Sequence, residues 1–142
     1  MSKALDIADL LAGRLQAAAA LQGVDVFVDR QKNLPSKVAG SIGKFSAACI
    51  AILYDGFSNP DASRSGRPTV TRRFTVSIFA KPVLSSLGGK FADDVLEAAA
   101  ETLHNWEPTT TLFSEIRVTG GDYRPDATWL IYDIDLEVIS KL

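Results

Sequence analysis

The chain has 142 residues, of which 46% are apolar and 23% charged, proportions typical of one globular domain with its own hydrophobic core. Its formal net charge of −2 argues against a nucleic-acid-binding domain driven by bulk electrostatics, because such domains are usually strongly basic. A single cysteine excludes an internal disulfide and a multi-cysteine metal site. The apolar runs are too short to span a bilayer, so we expect no membrane association and an intracellularly made protein.

The N-terminal part of the chain predicts a helix followed by a short strand. Between Leu5 and Leu21, apolar side chains recur three or four positions apart, which indicates an amphipathic helix with one buried stripe. The residues of this predicted stripe are Leu5, Ala8, Leu11, Leu15 and Ala18. Gly23 is a natural end for the helix, and Val24 to Val28 alternate as a strand.

The central part of the chain predicts two long strands. Ser46 to Tyr54 is apolar in both registers, which is typical of a central strand with both faces covered, and Cys49 within it is expected to be a buried, inert thiol. Val70 to Lys81 alternates, although Phe79 interrupts the polar register and is expected at the margin of that face. The two strands are predicted to form an antiparallel hairpin around a flexible loop at 55–70.

A second amphipathic helix is predicted from Lys90 to Asn105, with Phe91, Val95, Ala99 and Leu103 on its apolar side. A further strand is predicted from Leu112 to Thr119, with Leu112, Ile116 and Val118 facing the core. The sequence Gly120-Gly121-Asp122 then indicates the start of a polar turn.

The last strand, predicted from Thr128 to Ile139, has the clearest alternation in the chain. Its apolar register consists of Leu130, Tyr132, Ile134, Leu136 and Val138. The other register carries Asp133, Asp135 and Glu137, so this strand predicts a sheet with one buried face and one acidic face.

The predicted order of elements is α-β-β-β-α-β-β. Short connections between neighbouring strands favour a mostly antiparallel sheet, and two amphipathic helices are enough to cover one of its faces. The sequence therefore predicts a single α+β domain over residues 1–142, built as a two-layer sandwich with a sheet of four to five strands and two helices on one face.

The motifs that resemble catalytic or nucleotide-binding sites have simpler interpretations. His104, the one histidine, lies at a predicted helix end next to Trp106, where capping and packing are the usual roles, and no serine has the surroundings of a nucleophile. Gly88-Gly89-Lys90 precedes a helix but lacks the spacing and the Ser or Thr of a phosphate-binding loop. We therefore expect a protein without catalytic residues, metal ligands or cofactors, and not an enzyme.

Two charged groups are the candidates for contacts with partners. Arg64, Arg67, Arg72 and Arg73 make the loop and its exit basic, and a loop of this kind is expected to order against a protein partner or another copy of the chain. Asp133, Asp135 and Glu137 follow one another about 6.5–7 Å apart, which is too far for one strand to hold a small cation. Metal binding would need ligands from another strand or subunit, and solvation, pairing with Arg73 or Arg117, and repulsion of polyanions are the other interpretations.

The layout of the chain resembles that of bacteriophage tail terminator proteins, the small tail-completion family that caps the tail tube. The resemblance covers most of the chain, and the following segments carry it: the helix at Leu5–Leu21, the strand pair Ala47–Tyr54 and Thr71–Ala80 around the polar loop, the helix at Phe91–Leu103 and the closing strand Trp129–Val138. The family has no catalytic motif, so no functional residue is carried over by identity.

The resemblance implies a virion structural protein, located in the tail and assembled in the cytoplasm of the bacterial host. Such a protein forms a homo-oligomeric ring, typically of six copies, that ends polymerisation of the tail tube and offers the surface for head joining. The implied partners are other copies of the chain, the tail tube protein and a head-completion or connector protein. An acidic sheet face turned to the lumen would let DNA pass without specific binding, because like charges repel.

Two other functional classes remain open from the sequence. The chain is also compatible with another phage head–tail connector or tail structural protein, which would share the architecture and bind different neighbours. A small-ligand-binding or enzymatic α+β domain with a pocket between sheet and helices is the third alternative, and clustered titratable groups at the ends of the sheet would favour it.

Overall fold

The computed structural model describes residues 3–21, 24–29, 48–58, 69–80, 92–104, 106, 115–125 and 130–141. In chain order the elements are α1 (Lys3–Ala17), a 3₁₀ turn (Ala19–Leu21), β1 (Asp25–Val28), β2 (Ala48–Ser58), β3 (Thr69–Ala80), α2 (Ala92–Leu103), β4 (Glu115–Pro125) and β5 (Leu130–Lys141). The predicted α+β class and the order α-β-β-β-α-β-β are confirmed.

The five strands of the described chain form one mixed sheet in the order β1-β2-β3-β5-β4. β1 runs parallel to β2, whereas the β2–β3, β3–β5 and β4–β5 pairs are antiparallel. The predicted hairpin of the two central strands is therefore confirmed. β5 lies between β3 and β4, so the strand with the clearest alternation has a hydrogen-bonded neighbour on each side.

Both helices cover the same face of the sheet and share one hydrophobic core with it. In α1 the fully buried larger side chains are Ile7, Leu11 and Leu15, one helical turn apart. Leu5 is only half-buried, so the stripe begins at Ala4 and Ile7 and not at the predicted Leu5.

The helix α2 presents Val95, Ala99 and Leu103 to the core, as predicted, and Phe91 of the predicted stripe lies outside the described residues. The two helices meet near their C-terminal ends. There the Arg14 guanidinium lies 5.4 Å from the centre of the Trp106 ring, and its Nε donates a hydrogen bond to the Thr102 carbonyl at 3.3 Å. This contact joins the end of the first helix to the end of the second.

The face of the sheet opposite the helices is not uniformly polar. Cys49, Ala51, Phe79 and Ile131 form a second buried apolar cluster on it, with Phe27 and Leu53 half-buried beside them. Phe79, expected at the margin of the polar face, lies in this cluster at one end of that face, and its side chain is only 4% exposed. The pairs Cys49–Phe79 and Phe79–Ile131 are direct neighbours across β2, β3 and β5, which places the cluster at one end of this face, where the side chains are buried.

Two strands run further than the sequence predicts, and each contains an irregularity in its pairing. β2 continues to Ser58 beyond a register shift between Tyr54 and Gly56, so part of the predicted loop is strand. β4 continues to Pro125 beyond a shift between Val118 and Gly120, so the expected turn at Gly120-Gly121-Asp122 is also strand. A bulge adds one residue to a strand and exchanges the faces beyond it, which breaks the alternation that sequence analysis detects.

Replacing Gly56 and Gly13 by alanine is expected to change the free energy of unfolding in opposite directions. Gly56 has φ +111°, a conformation that residues with a Cβ rarely adopt, so Gly56→Ala should lower the free energy of unfolding by about 1–3 kcal/mol. Gly13 lies on the exposed side of α1 with open space around it, so Gly13→Ala should raise the same quantity by about 0.5–1 kcal/mol. Urea titration of both variants measures the two effects, and a neutral Gly56→Ala would contradict the strained conformation.

Candidate functional site: the acidic face of the sheet

The acidic residues of β5 lie on the open face of the sheet, opposite the two helices. Asp135 is exposed, and Asp133 and Glu137 are half-buried. Their neighbours on β5, Ile134 and Leu136, are buried in the main core. The predicted division of this strand into one core register and one acidic register is therefore confirmed.

Two further carboxylates join this row, and sequence analysis assigned neither to it. Asp122 of β4 is the direct cross-strand partner of Asp133, and Asp55 lies at the bulge of β2. The Thr75 hydroxyl, on the open face of β3, donates a hydrogen bond to Asp55 Oδ2 at 2.5 Å. Asp55, Asp122, Asp133 and Asp135, from three strands, are here called the acidic patch.

The electrostatic state of Asp135 reflects this crowding. Partial desolvation raises the pKa of its carboxyl above the ordinary range, and the charges of Asp122, Asp133 and Asp55 raise that pKa further. Asp133 accepts a hydrogen bond from the Ser77 hydroxyl at 2.6 Å. Because like charges close together on neighbouring strands are destabilising, the crowding of Asp122, Asp133 and Asp55 around Asp135 opposes folding.

Glu137 has different surroundings from the other two acids of β5. In register it lies between Arg73 of β3 and Arg117 of β4, and Arg117 approaches it with a nitrogen–oxygen distance of 4.0 Å. Pairing with Arg117, one of the interpretations open from the sequence, is therefore observed as a long, exposed contact of small energetic value. The negative charge of the open face is concentrated in the acidic patch, and the end at Glu137 is mixed in sign.

The predicted basic group does not stay together. Arg64 and Arg67 lie outside the described residues. Arg73 is exposed on the open face, whereas Arg72 is 5% exposed on the face that the helices cover. Alternation along β3 therefore places these two neighbours on opposite faces of the sheet, and the role of the group in contacts with a partner stays a prediction.

The other residues that the sequence offers as candidates for chemistry have surroundings typical of structural roles, where the structure describes them. Cys49 is fully buried, and desolvation, with a smaller contribution from Asp25, raises the pKa of its thiol to about 12, so it stays protonated at neutral pH. His104 is exposed, its backbone N–H donates to the Ala100 carbonyl at 2.9 Å, and no hydrogen bond joins its imidazole to a described residue. Gly88-Gly89-Lys90 lies outside the described residues.

The chain has no match among protein-family models and none among curated proteins, so the interpretation of the site rests on its own residues. Over the residues that the structure describes, no three His, Cys, Asp or Glu side chains are grouped so that they could hold a metal ion. No helix in the same residues is long and apolar enough to cross a membrane.

The raised pKa of Asp135 predicts a pH dependence of stability. A carboxyl whose pKa is higher in the folded than in the unfolded state keeps its proton longer when folded, so its contribution to stability falls as pH rises from about 4. Asp135→Asn should therefore be slightly more stable than the parent protein at pH 7, by less than about 0.5 kcal/mol because the side chain is exposed, and should lose that advantage at pH 3.

Urea unfolding at both pH values measures this difference, with Glu101→Gln on the exposed side of α2 as the matched control. Loss of stability in Asp135→Asn at pH 7 would contradict the repulsion among the four carboxylates.

Proposed function

We propose that this chain is a structural virion protein of the phage tail terminator type, which forms a ring, ends polymerisation of the tail tube and provides the surface for head joining. The observation that carries this proposal is the acidic patch, where Asp122 and Asp133 are held directly opposite each other on an open sheet face. An arrangement that opposes folding indicates a role for the surface other than stability.

An acidic sheet face would have a function on the wall of the lumen of the ring, through which DNA passes. DNA carries one negative charge per about 1.7 Å of helix axis, and a wall of carboxylates repels it at close range. DNA would then pass through the ring without being bound. On this proposal, the faces of several copies surround the lumen, with Asp133 and Asp135 at their centre and Glu137 towards one end.

A ring also needs an interface between two different surfaces of the chain that closes on itself. The described sheet ends in β1 on one side and in β4 on the other, and strands in these positions carry backbone groups suited to pairing with a further strand. Two unlike edges on one molecule fit a head-to-tail arrangement. The proposed partners are other copies, the tail tube protein and a head-completion protein, in the virion tail after assembly in the host cytoplasm.

The ring and the lumen are tested by separate experiments. Native mass spectrometry, with and without tail tubes, should detect a closed oligomer, and purified protein added to growing tubes should stop them at a fixed length. A protein that remains monomeric on its tubes and leaves their growth unchanged would contradict the terminator proposal.

The lumen is tested by reversing charge in place. Asp122, Asp133 and Asp135 are changed together to lysine, and the matched control carries Asp94, Glu97 and Glu101, exposed on α2, changed to lysine. Both variants alter the net charge equally. We expect rings from both and impaired DNA passage from the sheet variant only, and normal DNA delivery by that variant would exclude the lumen assignment.

A further inference from the structure

Arg72 is a buried cation at one end of the main core. It belongs to the register of β3 that faces the helices, together with the buried Val70 and Phe74, and its side chain is only 5% exposed. Its cross-strand neighbours are Phe57 near the end of β2 and Val138 near the end of β5. Arginine is rarely buried to this extent without a paired charge.

The hydrogen bonds of Arg72 are made to neutral groups. Its Nε donates to Ser140 Oγ and its Nη1 to Tyr54 Oη, each at 2.9 Å. The centre of the guanidinium lies 5.9 Å from each of the Tyr54 and Phe57 ring centres. No carboxylate of the described residues pairs with it. Aromatic rings and hydroxyl groups stabilise a buried cation only partly, so the charge lacks a full counterpart.

One edge of the guanidinium remains available. An arginine has five N–H donors, and two of them are used by Ser140 and Tyr54. Nη2 donates no hydrogen bond to a described residue. Since the described residues contain no fully enclosed side-chain nitrogen or oxygen without a partner, Nη2 reaches solvent. The edge formed by Nη1 and Nη2 has the geometry that binds a carboxylate through two parallel hydrogen bonds.

We propose that Arg72 anchors a docking site for a carboxylate of a protein partner, with Phe57 as the apolar part of the same site. The Phe57 ring is 46% exposed, although it lies beside the buried guanidinium. Aromatic and arginine side chains together are typical of the energetic centres of protein interfaces. An acidic side chain or a chain terminus that carries an apolar group next to its carboxylate fits both halves of the site.

A protein carboxylate fits this site better than a nucleic-acid phosphate. One guanidinium edge accommodates one oxyanion, whereas phosphate backbones are bound by rows of basic side chains that each neutralise a phosphate. The chain has a net charge of −2, which repels a polyanion at longer range more than it repels one carboxylate. The inference stands independently of the proposed ring, since it concerns the other face of the sheet.

Sodium acetate and sodium benzoate are the probes, compared with sodium chloride at equal ionic strength. We expect each carboxylate to shift the Nε–Hε NMR signal of Arg72 saturably, and to lower the unfolding equilibrium constant about tenfold at ten times its dissociation constant. Benzoate should bind more tightly than acetate, and Phe57→Ala should remove that difference. The matched control is Arg73→Gln, which removes the adjacent, exposed arginine and should leave the binding of both probes unchanged.

Arg72→Lys keeps the charge but loses the two-pronged geometry, so its carboxylate affinity should fall at least tenfold; if it does not fold, the NMR titration of the parent protein decides. The proposal is overturned if neither carboxylate shifts the Arg72 signal, or if inorganic phosphate binds there and acetate does not.

Discussion

Leu15→Ala will lower the free energy of unfolding by about 3 kcal/mol. Leu15 is fully buried on α1, within the core that both helices share with the sheet. Removing the isopropyl part of its side chain loses the burial of apolar surface and leaves a cavity under the helix that neighbouring side chains fill only partly. Val95→Ala, at the matching position of α2, removes fewer atoms and should cost about 2 kcal/mol.

Urea titration followed by circular dichroism measures these differences, and Glu101→Ala on the exposed side of α2 is the control, with an expected change within about 0.5 kcal/mol. Ile7→Ala should cost more than Leu5→Ala, because Ile7 is fully buried and Leu5 only half-buried. Equal effects of Leu15→Ala and Glu101→Ala would mean that α1 does not pack on the sheet through this stripe.

Phe79→Ala will be as destabilising as a substitution in the main core, at about 3 kcal/mol. The Phe79 ring belongs to the second apolar cluster, on the face that also carries the acidic patch, and it packs with Cys49 and Ile131. Its loss would leave a cavity between three strands. If the Phe79 ring were exposed among its polar neighbours on β3, truncation would change stability little.

The control for Phe79 is Thr71→Ala, on the same strand and the same face but at its other end, where the expected change is within about 0.5 kcal/mol. Thermal and urea unfolding of both variants compare the two ends of the open face. A neutral Phe79→Ala would show that the second cluster does not contribute to folding.

The sequence also suggests that Asp133→Ala would be neutral, and the structure changes the reason for that expectation. The substitution removes the hydrogen bond from Ser77, which costs stability, and relieves the repulsion from Asp122 and Asp135, which restores some of it. Near-neutrality would therefore result from two opposing effects and not from full exposure of the side chain.

The periodicity of apolar residues within single elements was enough to predict much of the architecture of this protein. The alternation of β5, the apolar stripes of the two helices and the doubly apolar pattern of β2 each depend on residues within one element, and they predicted the α+β class, the order of elements and the burial of Cys49. The exposed or half-buried positions of Asp133 and Asp135 followed from the same alternation.

The tertiary structure alone decided how these elements meet. Strand order brings Asp55 and Asp122 to Asp133 and Asp135, and this depends on pairings between residues distant in the chain. The bulge of β4 conceals Asp122 from a period-2 pattern, because one inserted residue exchanges the faces of everything beyond it, whereas Asp55 lies at the bulge of β2, where the sequence predicts a loop. Alternation in β3 likewise carries Arg72 into the core and Arg73 to the open face, a separation that charge clustering in the sequence does not reveal.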